Sequence, residues 1–233
     1  MEKDILIVPD VHGRDFWFPA LDYQGEIVFL GDYNDPYSQE KITDAMAYQM
    51  FLKIVDFKKQ NPDRVTLLIG NHEMPYYDKF WNAGRFSEVY YPQIHEILTA
   101  EETKGLFQLC KQVGHFLFIH AGVTKHWYDR HYEKFEKSGG SLEEQLNKVF
   151  FERMNIFWEA GRYRGGWNKT GSPLWADLRE LNDETEPFAP DIFQIIGHTQ
   201  RMESDPIIRK NYGMLDNRQL YILHHNNIEK YIV

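Results

Sequence analysis

Five short apolar runs each break off into a cluster of Asp, His or Asn beside a glycine, and this repeated change of character constrains the fold most tightly. Ile5-Val8 runs into Pro9-Asp10-Val11-His12, and Ile27-Leu30 into Gly31-Asp32-Tyr33-Asn34-Asp35. Val65-Ile69 runs into Gly70-Asn71-His72-Glu73, Phe116-Ile119 into His120-Ala121-Gly122, and Ile192-Ile196 into Gly197-His198-Thr199. Short runs rich in β-branched and aromatic residues, with little polar alternation, read as strands covered on both faces. Between the second and third runs, Lys41 to Phe57 carries Ile42, Ala45, Met46, Met50, Ile54 and Phe57 near helical spacing, and Asn61-Pro62 stops the continuation. A helix joining two strands is the βαβ pattern, so the expected fold class is α/β.

A second helix opens at Ser141-Leu142-Glu143-Glu144, a capping-box sequence after the loop Ser138-Gly139-Gly140, with Leu142, Leu146, Val149, Phe150 and Phe157 as its apolar face. At 233 residues with 42% hydrophobic content the chain is long enough for a sizeable core, and the length favours a single domain over 1–233. Two aromatic-rich stretches, about 76–113 and 126–172, read as excursions between core strands.

The formal charge of −9 and the lack of a dense Lys/Arg stripe argue against non-specific nucleic-acid binding. A single cysteine, Cys110, permits no internal disulfide. The apolar run near the N-terminus, Ile5-Val8, is too short for a signal peptide or a membrane span, so the expected location is cytoplasmic, with no membrane partner.

In layered α/β proteins ligands collect at the carboxyl ends of strands, and five such ends can build one site. Residues i and i+2 of an extended chain point the same way, which lets Asp10 and His12 reach one ion together. Taken singly, an Asp or Asn after a strand is a turn or cap residue and a His near a core is simply hydrogen-bonded. Taken together, Asp, His and Asn donors without a thiolate suit Mn, Fe or Zn, and Mg on the carboxylate side, in a dinuclear inventory.

As a set these motifs resemble the calcineurin-like metallophosphoesterases, especially the branch of bacterial and phage protein Ser/Thr phosphatases and symmetrical diadenosine tetraphosphatases. PDVHG at 9–13 resembles that family's GDxHG, GDYND at 31–35 its GDxxD, GNHE at 70–73 its GNHE, IHAG at 119–122 its HAG, and GHT at 197–199 its last motif. The resemblance implies a four-layer α-β-β-α sandwich with two central mixed β-sheets. It implies two divalent metal ions, Mn2+ first and Fe/Zn or Mg as alternatives. Asp10 and His12 would hold the first, Asp32 would bridge both, and Asn71, His120 and His198 would complete the second. Gln200 stands where many phosphodiesterase branches carry a further His, which places the chain on the phosphatase side.

The implied reaction is in-line attack on phosphorus by a metal-bridging hydroxide, with His72 as general acid and Asp35 orienting it. Glu73 would belong to the motif's supporting shell. The family's protein phosphatases place phosphate-binding arginines after the second Asp of GDxVDRG and before GNHE; here those places hold Pro36 and Ile69. Arg179, Arg162, Arg164 and Arg201 are the candidate replacements, each with an ordinary solvated reading beside it. Tyr76, Tyr77, Phe80, Trp81, Phe86, Tyr90 and Tyr91 read first as core and second as a platform for a nucleoside base. The favoured function is hydrolysis of phosphate monoesters on a phosphoprotein or a small phosphate ester. The alternatives are a diadenosine tetraphosphatase or other nucleotide phosphoanhydride or phosphodiester hydrolase and, third, a non-catalytic binding scaffold.

Overall fold

The computed structural model describes residues 4–80, 84–183 and 186–232; Trp81 lies outside them. Two mixed sheets form the centre. The first holds β1 (Ile5–Val8), β2 (Glu26–Phe29), β3 (Val65–Leu68) and β4 (Phe107–Gln108) in parallel. The second takes up β5 (Cys110–Val113), β6 (Phe116–Ile119), β7 (Phe193–Ile196), β8 (Ile207–Ile208) and β9 (Tyr212–Met214), in the order β5-β6-β7-β9-β8. The chain then returns to the first sheet, where β10 (Tyr221–His224) pairs antiparallel with β1 and β11 (Asn227–Lys230) closes a hairpin.

Strand alternation explains the layers. Ile5, Ile7, Val28, Leu30 and Leu68 meet Phe116, Phe118 and Ile195 of the second sheet in one buried cluster. The intervening Leu6, Val8, Ile27, Phe29, Val65 and Leu67 turn the other way, into a cluster with Phe51, Ile54 and Val55 of helix α1 (Asp44–Gln60). Leu117 and Ile119 likewise join Trp127 and Phe135 of α4 (Lys125–Ser138) and Leu146, Val149 and Phe150 of α5 (Leu142–Glu152). The order is therefore helix, sheet, sheet, helix. Both faces of the central strands β1, β2, β3, β6 and β7 are covered, which is why these strands read as continuous apolar runs. Shorter helices α2 (Met74–Tyr77), α3 (Tyr91–Thr99) and α6 (Leu178–Asp183) sit in the connections.

Several expectations shift in detail. Helix α1 begins at Asp44 rather than Lys41, because Lys41 takes a left-handed φ of 58° and Thr43 caps the first turn by accepting the Met46 N–H. The Asn61 side chain closes α1 by donating to the Phe57 carbonyl at 2.9 Å. The capping box at Ser141 and Glu144 is present, but Phe157 lies beyond α5 in a 3-10 turn, where it is still buried. The end of the 76–113 stretch is not an excursion, since β4 and β5 belong to the two sheets. Among the described residues no helix is long and apolar enough to cross a membrane.

Candidate metal centre

The loops after β1, β2, β3, β6 and β7 converge at the ends of both sheets and bring Asp10, His12, Asp32, Asn71, His120 and His198 together. Asp32 lies at the middle. Its Oδ2 is 3.4 Å from His12 Nε2 and 3.6 Å from His120 Nε2. Asn71 Oδ1 is 2.9 Å from both His120 Nε2 and His198 Nδ1, and these two nitrogens are 3.1 Å apart. Ligand atoms of His12, Asp32 and His72, and of Asp32, His120 and His198, lie within 4.8 Å of one another in each group, and Asp32 belongs to both groups, although the two ring nitrogens of His72 are already engaged by Asp35 and Arg85. Asp10 joins through the backbone, accepting the His198 N–H at 2.9 Å.

The local backbone carries strain where these side chains emerge. His12, Asp32, Asp35 and His198 all have positive φ, between 46° and 66°, a region costly for residues with a Cβ. Two glycines make room. A Cβ on Gly70 would stand 2.5 Å from the Asp32 backbone nitrogen and run into its carboxylate, and one on Gly197 would run into the Asp10 carboxylate.

Hydrogen bonds fix the tautomers. His12 Nδ1 donates to the Asn34 carbonyl at 2.9 Å and His120 Nδ1 to the Leu30 carbonyl at 2.8 Å, so each Nε2 faces inward as a lone pair. Burial pushes His12, His120 and His198 below the ordinary imidazole range, which keeps the rings neutral. Burial works against the Asp32 carboxylate, while the charge of the His72 ring and the His72 backbone N–H, donated to Asp32 Oδ1 at 2.9 Å, favour it. Glu73, fully buried, accepts backbone N–H bonds from Gly70, Asp32 and Tyr33 and so ties the β2 and β3 loops together. Burial and the nearby Asp32 push its carboxyl up to about 8.

Beside this centre His72 Nδ1 donates to Asp35 Oδ2 at 2.9 Å, and Tyr76 donates its hydroxyl to the other Asp35 oxygen. Burial alone would lower the His72 pKa, but the Asp32 and Asp35 carboxylates raise it above the ordinary value.

The candidate arginines fall elsewhere. Arg164 comes nearest, donating to Thr199 Oγ1 at 2.6 Å and pairing with Asp177 at 3.0 Å. Arg179 is spent on Asp177 at 2.7 Å and on the Tyr163 ring, and Arg201 on Glu203 at 3.0 Å. Arg162 lines a separate cavity of about 660 Å³ with Lys125 and Lys169. Tyr76 is buried, and Tyr77, Phe86, Tyr90 and Tyr91 pack against the core, whereas Phe80 is exposed.

Sequence reasoning missed two residues. Asp216 is buried against Asp10, and burial pushes its carboxyl up to about 7. Arg85 donates from Nη2 to His72 Nε2 at 3.0 Å. Asp216 stands two residues past β9, the offset of Asp10 past β1, so the signal was the short apolar run Tyr212-Gly213-Met214-Leu215 breaking off into Asp216-Asn217. Arg85 follows no strand, and no local pattern marks it.

The calcineurin-like phosphoesterase family matches residues 4–202. Among solved structures, a cold-active protein-tyrosine phosphatase of the psychrophile Shewanella sp. superposes with TM-score 0.60 at 15% identity, over 99% of this chain and 80% of that one. A protein serine/threonine phosphatase from Saccharomyces cerevisiae superposes with TM-score 0.55 at 14% identity, over 99% and 80%. Among curated protein sequences none matches. The two-sheet architecture agrees with these likenesses, and the chain belongs to the calcineurin-like phosphoesterases, a family of metal-dependent phosphoester hydrolases.

Proposed function

We propose that the chain, as one domain, hydrolyses phosphate monoesters of a phosphoprotein or small phosphate ester at a dinuclear centre. The observation that carries this reading is a buried cluster in which the His12 and His120 Nε2 lone pairs face the Asp32 carboxylate, and that of His120 also the Asn71 amide oxygen, with no proton between them. His198 Nδ1, 2.9 Å from Asn71 Oδ1 and 3.1 Å from His120 Nε2, brings a third ring nitrogen to the set. Such mutual facing of acceptors is costly unless a cation joins them, so the donor set fits divalent ions. Asp10 and His12 would hold one ion, Asn71, His120 and His198 the other, and Asp32 would contact both. Mn2+ suits these donors, as do Fe/Zn pairs and Mg2+. When bound, the ions supply Lewis acidity toward a phosphoryl oxygen and lower the pKa of water.

The residues beside the centre supply the proton. His72 Nε2 protonates the departing oxygen, while Asp35 holds Nδ1–H, fixes the ring plane and favours the charged form. Tyr76 in turn fixes Asp35. That the two superposed structures are phosphatases supports monoesters. Pro36 and Ile69, where the resembling phosphatases bind phosphate through arginine, favour a second reading, hydrolysis of a dinucleoside polyphosphate or other nucleotide anhydride or diester held through its remote parts. Metal-stripped protein reloaded with Mn2+ and assayed on p-nitrophenyl phosphate and bis-p-nitrophenyl phosphate separates the two. Faster cleavage of the monoester supports the first reading, and a diester preference replaces it with the second.

A further inference from the structure

We propose that Arg85 grips the non-bridging oxygens of the substrate's phosphoryl group, in place of the arginines absent at positions 36 and 69; this rests on the phosphoesterase reading above. Arg85 Nη2 lies 3.0 Å from His72 Nε2, the atom assigned to the leaving oxygen, so any group seated against that atom is within reach of the guanidinium. Its Nη1 is buried and has no partner among the described residues. The other arginines near the site are committed to carboxylates. Arg14 makes a two-point contact with Glu40 at 2.8 and 3.0 Å, Arg218 pairs with the same Glu40, and Arg164 and Arg179 share Asp177. Among the described residues no carboxylate is paired with Arg85.

Its placement is built rather than incidental. The Arg85 guanidinium stacks on the Tyr37 ring, 3.5 Å from the centroid, and Tyr37 directly follows Pro36. The loop that lacks an arginine thus supplies the aromatic floor for one arriving from elsewhere in the chain. The backbone of the arriving segment is tethered two residues on, where Ser87 N–H donates to the Tyr76 hydroxyl at 3.1 Å. Because Tyr76 also donates to Asp35, one hydroxyl fixes both the arginine segment and the support of His72. Phe86 secures the intervening position, its ring 4.9 Å from Tyr76 and 5.6 Å from Tyr91.

The chemistry names the substrate class. A planar guanidinium whose Nη1 is unpartnered among the described residues and whose Nη2 sits at His72 Nε2 matches a phosphoryl group whose non-bridging oxygens carry most charge, so a monoester dianion gains more than a diester monoanion.

The test compares Mn2+-loaded wild type, Arg85→Ala and Arg85→Lys. For Arg85→Ala, KM for p-nitrophenyl phosphate and the dissociation constant for inorganic phosphate, read by calorimetry, are expected to rise about 10- to 100-fold together. KM for bis-p-nitrophenyl phosphate is expected to rise less, Arg85→Lys to recover part of the loss, and bound metal to stay unchanged. Active variants with unaltered KM and phosphate affinity overturn the proposal for Arg85 while leaving the phosphoesterase reading intact. If wild type cleaves neither ester, the phosphoesterase reading falls, and an unchanged phosphate affinity in Arg85→Ala overturns the arginine's role independently.

Discussion

His72 and Asp35 form a buried pair, Nδ1 to Oδ2 at 2.9 Å, in which the carboxylate's second oxygen is already taken by Tyr76. The imidazole is thereby locked in orientation, with Nε2 turned to the centre, where Arg85 Nη2 meets it at 3.0 Å. His72→Asn is expected to lower kcat on an aryl phosphate by about 10²- to 10⁴-fold, the usual worth of a general acid, with metal content unchanged. Elemental analysis beside the rate assay checks both halves, and an unimpaired variant removes His72 from the reaction.

The pH dependence has a definite sign. His72 must carry its proton to act, and the charges of Asp32 and Asp35 raise its pKa against the effect of burial. Activity therefore persists to higher pH than an ordinary imidazole allows and falls as pH rises through the raised value. Asp35→Asn removes one of those charges, so the alkaline limb of log kcat against pH should move to lower pH. A limb that stays in place places the titration on another group.

Gly70→Ala should be costly, because the added methyl meets the Asp32 backbone as well as its carboxylate. A loss of about 1–3 kcal/mol in urea unfolding is expected, together with weakened metal binding. Gly105→Ala, where nothing lies within 4 Å of the new methyl, is the matched control and should leave metal binding alone. Equal behaviour of the two variants would contradict the crowding argument.

Metal addition should stabilise the fold. A ligand that binds only the native state at 100 times its dissociation constant contributes about 2.7 kcal/mol, seen as a higher Tm. Asp32→Asn, altering the one carboxylate common to both cation groups, should abolish most of that rise. A full Mn2+-dependent rise in the variant would show that the cation binds elsewhere.

Ser141→Ala tests the fold away from the site. The capping box satisfies the Glu144 and Ser141 backbone N–H groups, and losing the Ser hydroxyl should cost about 1 kcal/mol with kcat unchanged.

How much could be read from the residues alone followed from where the forces are local. The runs at Ile5–Val8 and Phe116–Ile119 match β1 and β6, because strands covered on both faces must be apolar throughout. The β10-β11 hairpin escaped notice since its exposure alternates, and its turn is made by His225 and Asn226 at φ 45° and 66° rather than by glycine. The six residues expected to hold metal do meet in space, because each directly follows a strand and the sheets aim their ends at one rim. Arg85 could not be seen this way, since it reaches His72 only through the Tyr76–Ser87 contact and the Tyr37 stack. Asp216 obeys the same strand-end rule, two residues past β9, and escaped notice because β9 is a three-residue strand with a glycine at its middle.

Helix α5 does more than cover a core. Its Asn147 Oδ1 accepts the Leu109 and Cys110 N–H groups at 2.8 and 3.1 Å, and its Glu143 carboxylate accepts Gln112 N–H at 2.8 Å. These are backbone donors along β5, the outermost strand of its sheet, so side chains occupy positions that a foreign strand would need. At the far side β8 is only two residues long, as is β4 at the margin of the other sheet. Of the four sheet margins only β11 is then a longer open strand, and it carries Glu229 and Lys230, so few templates for edge-to-edge aggregation remain; an Asn147→Ala substitution would partly strip that protection from β5.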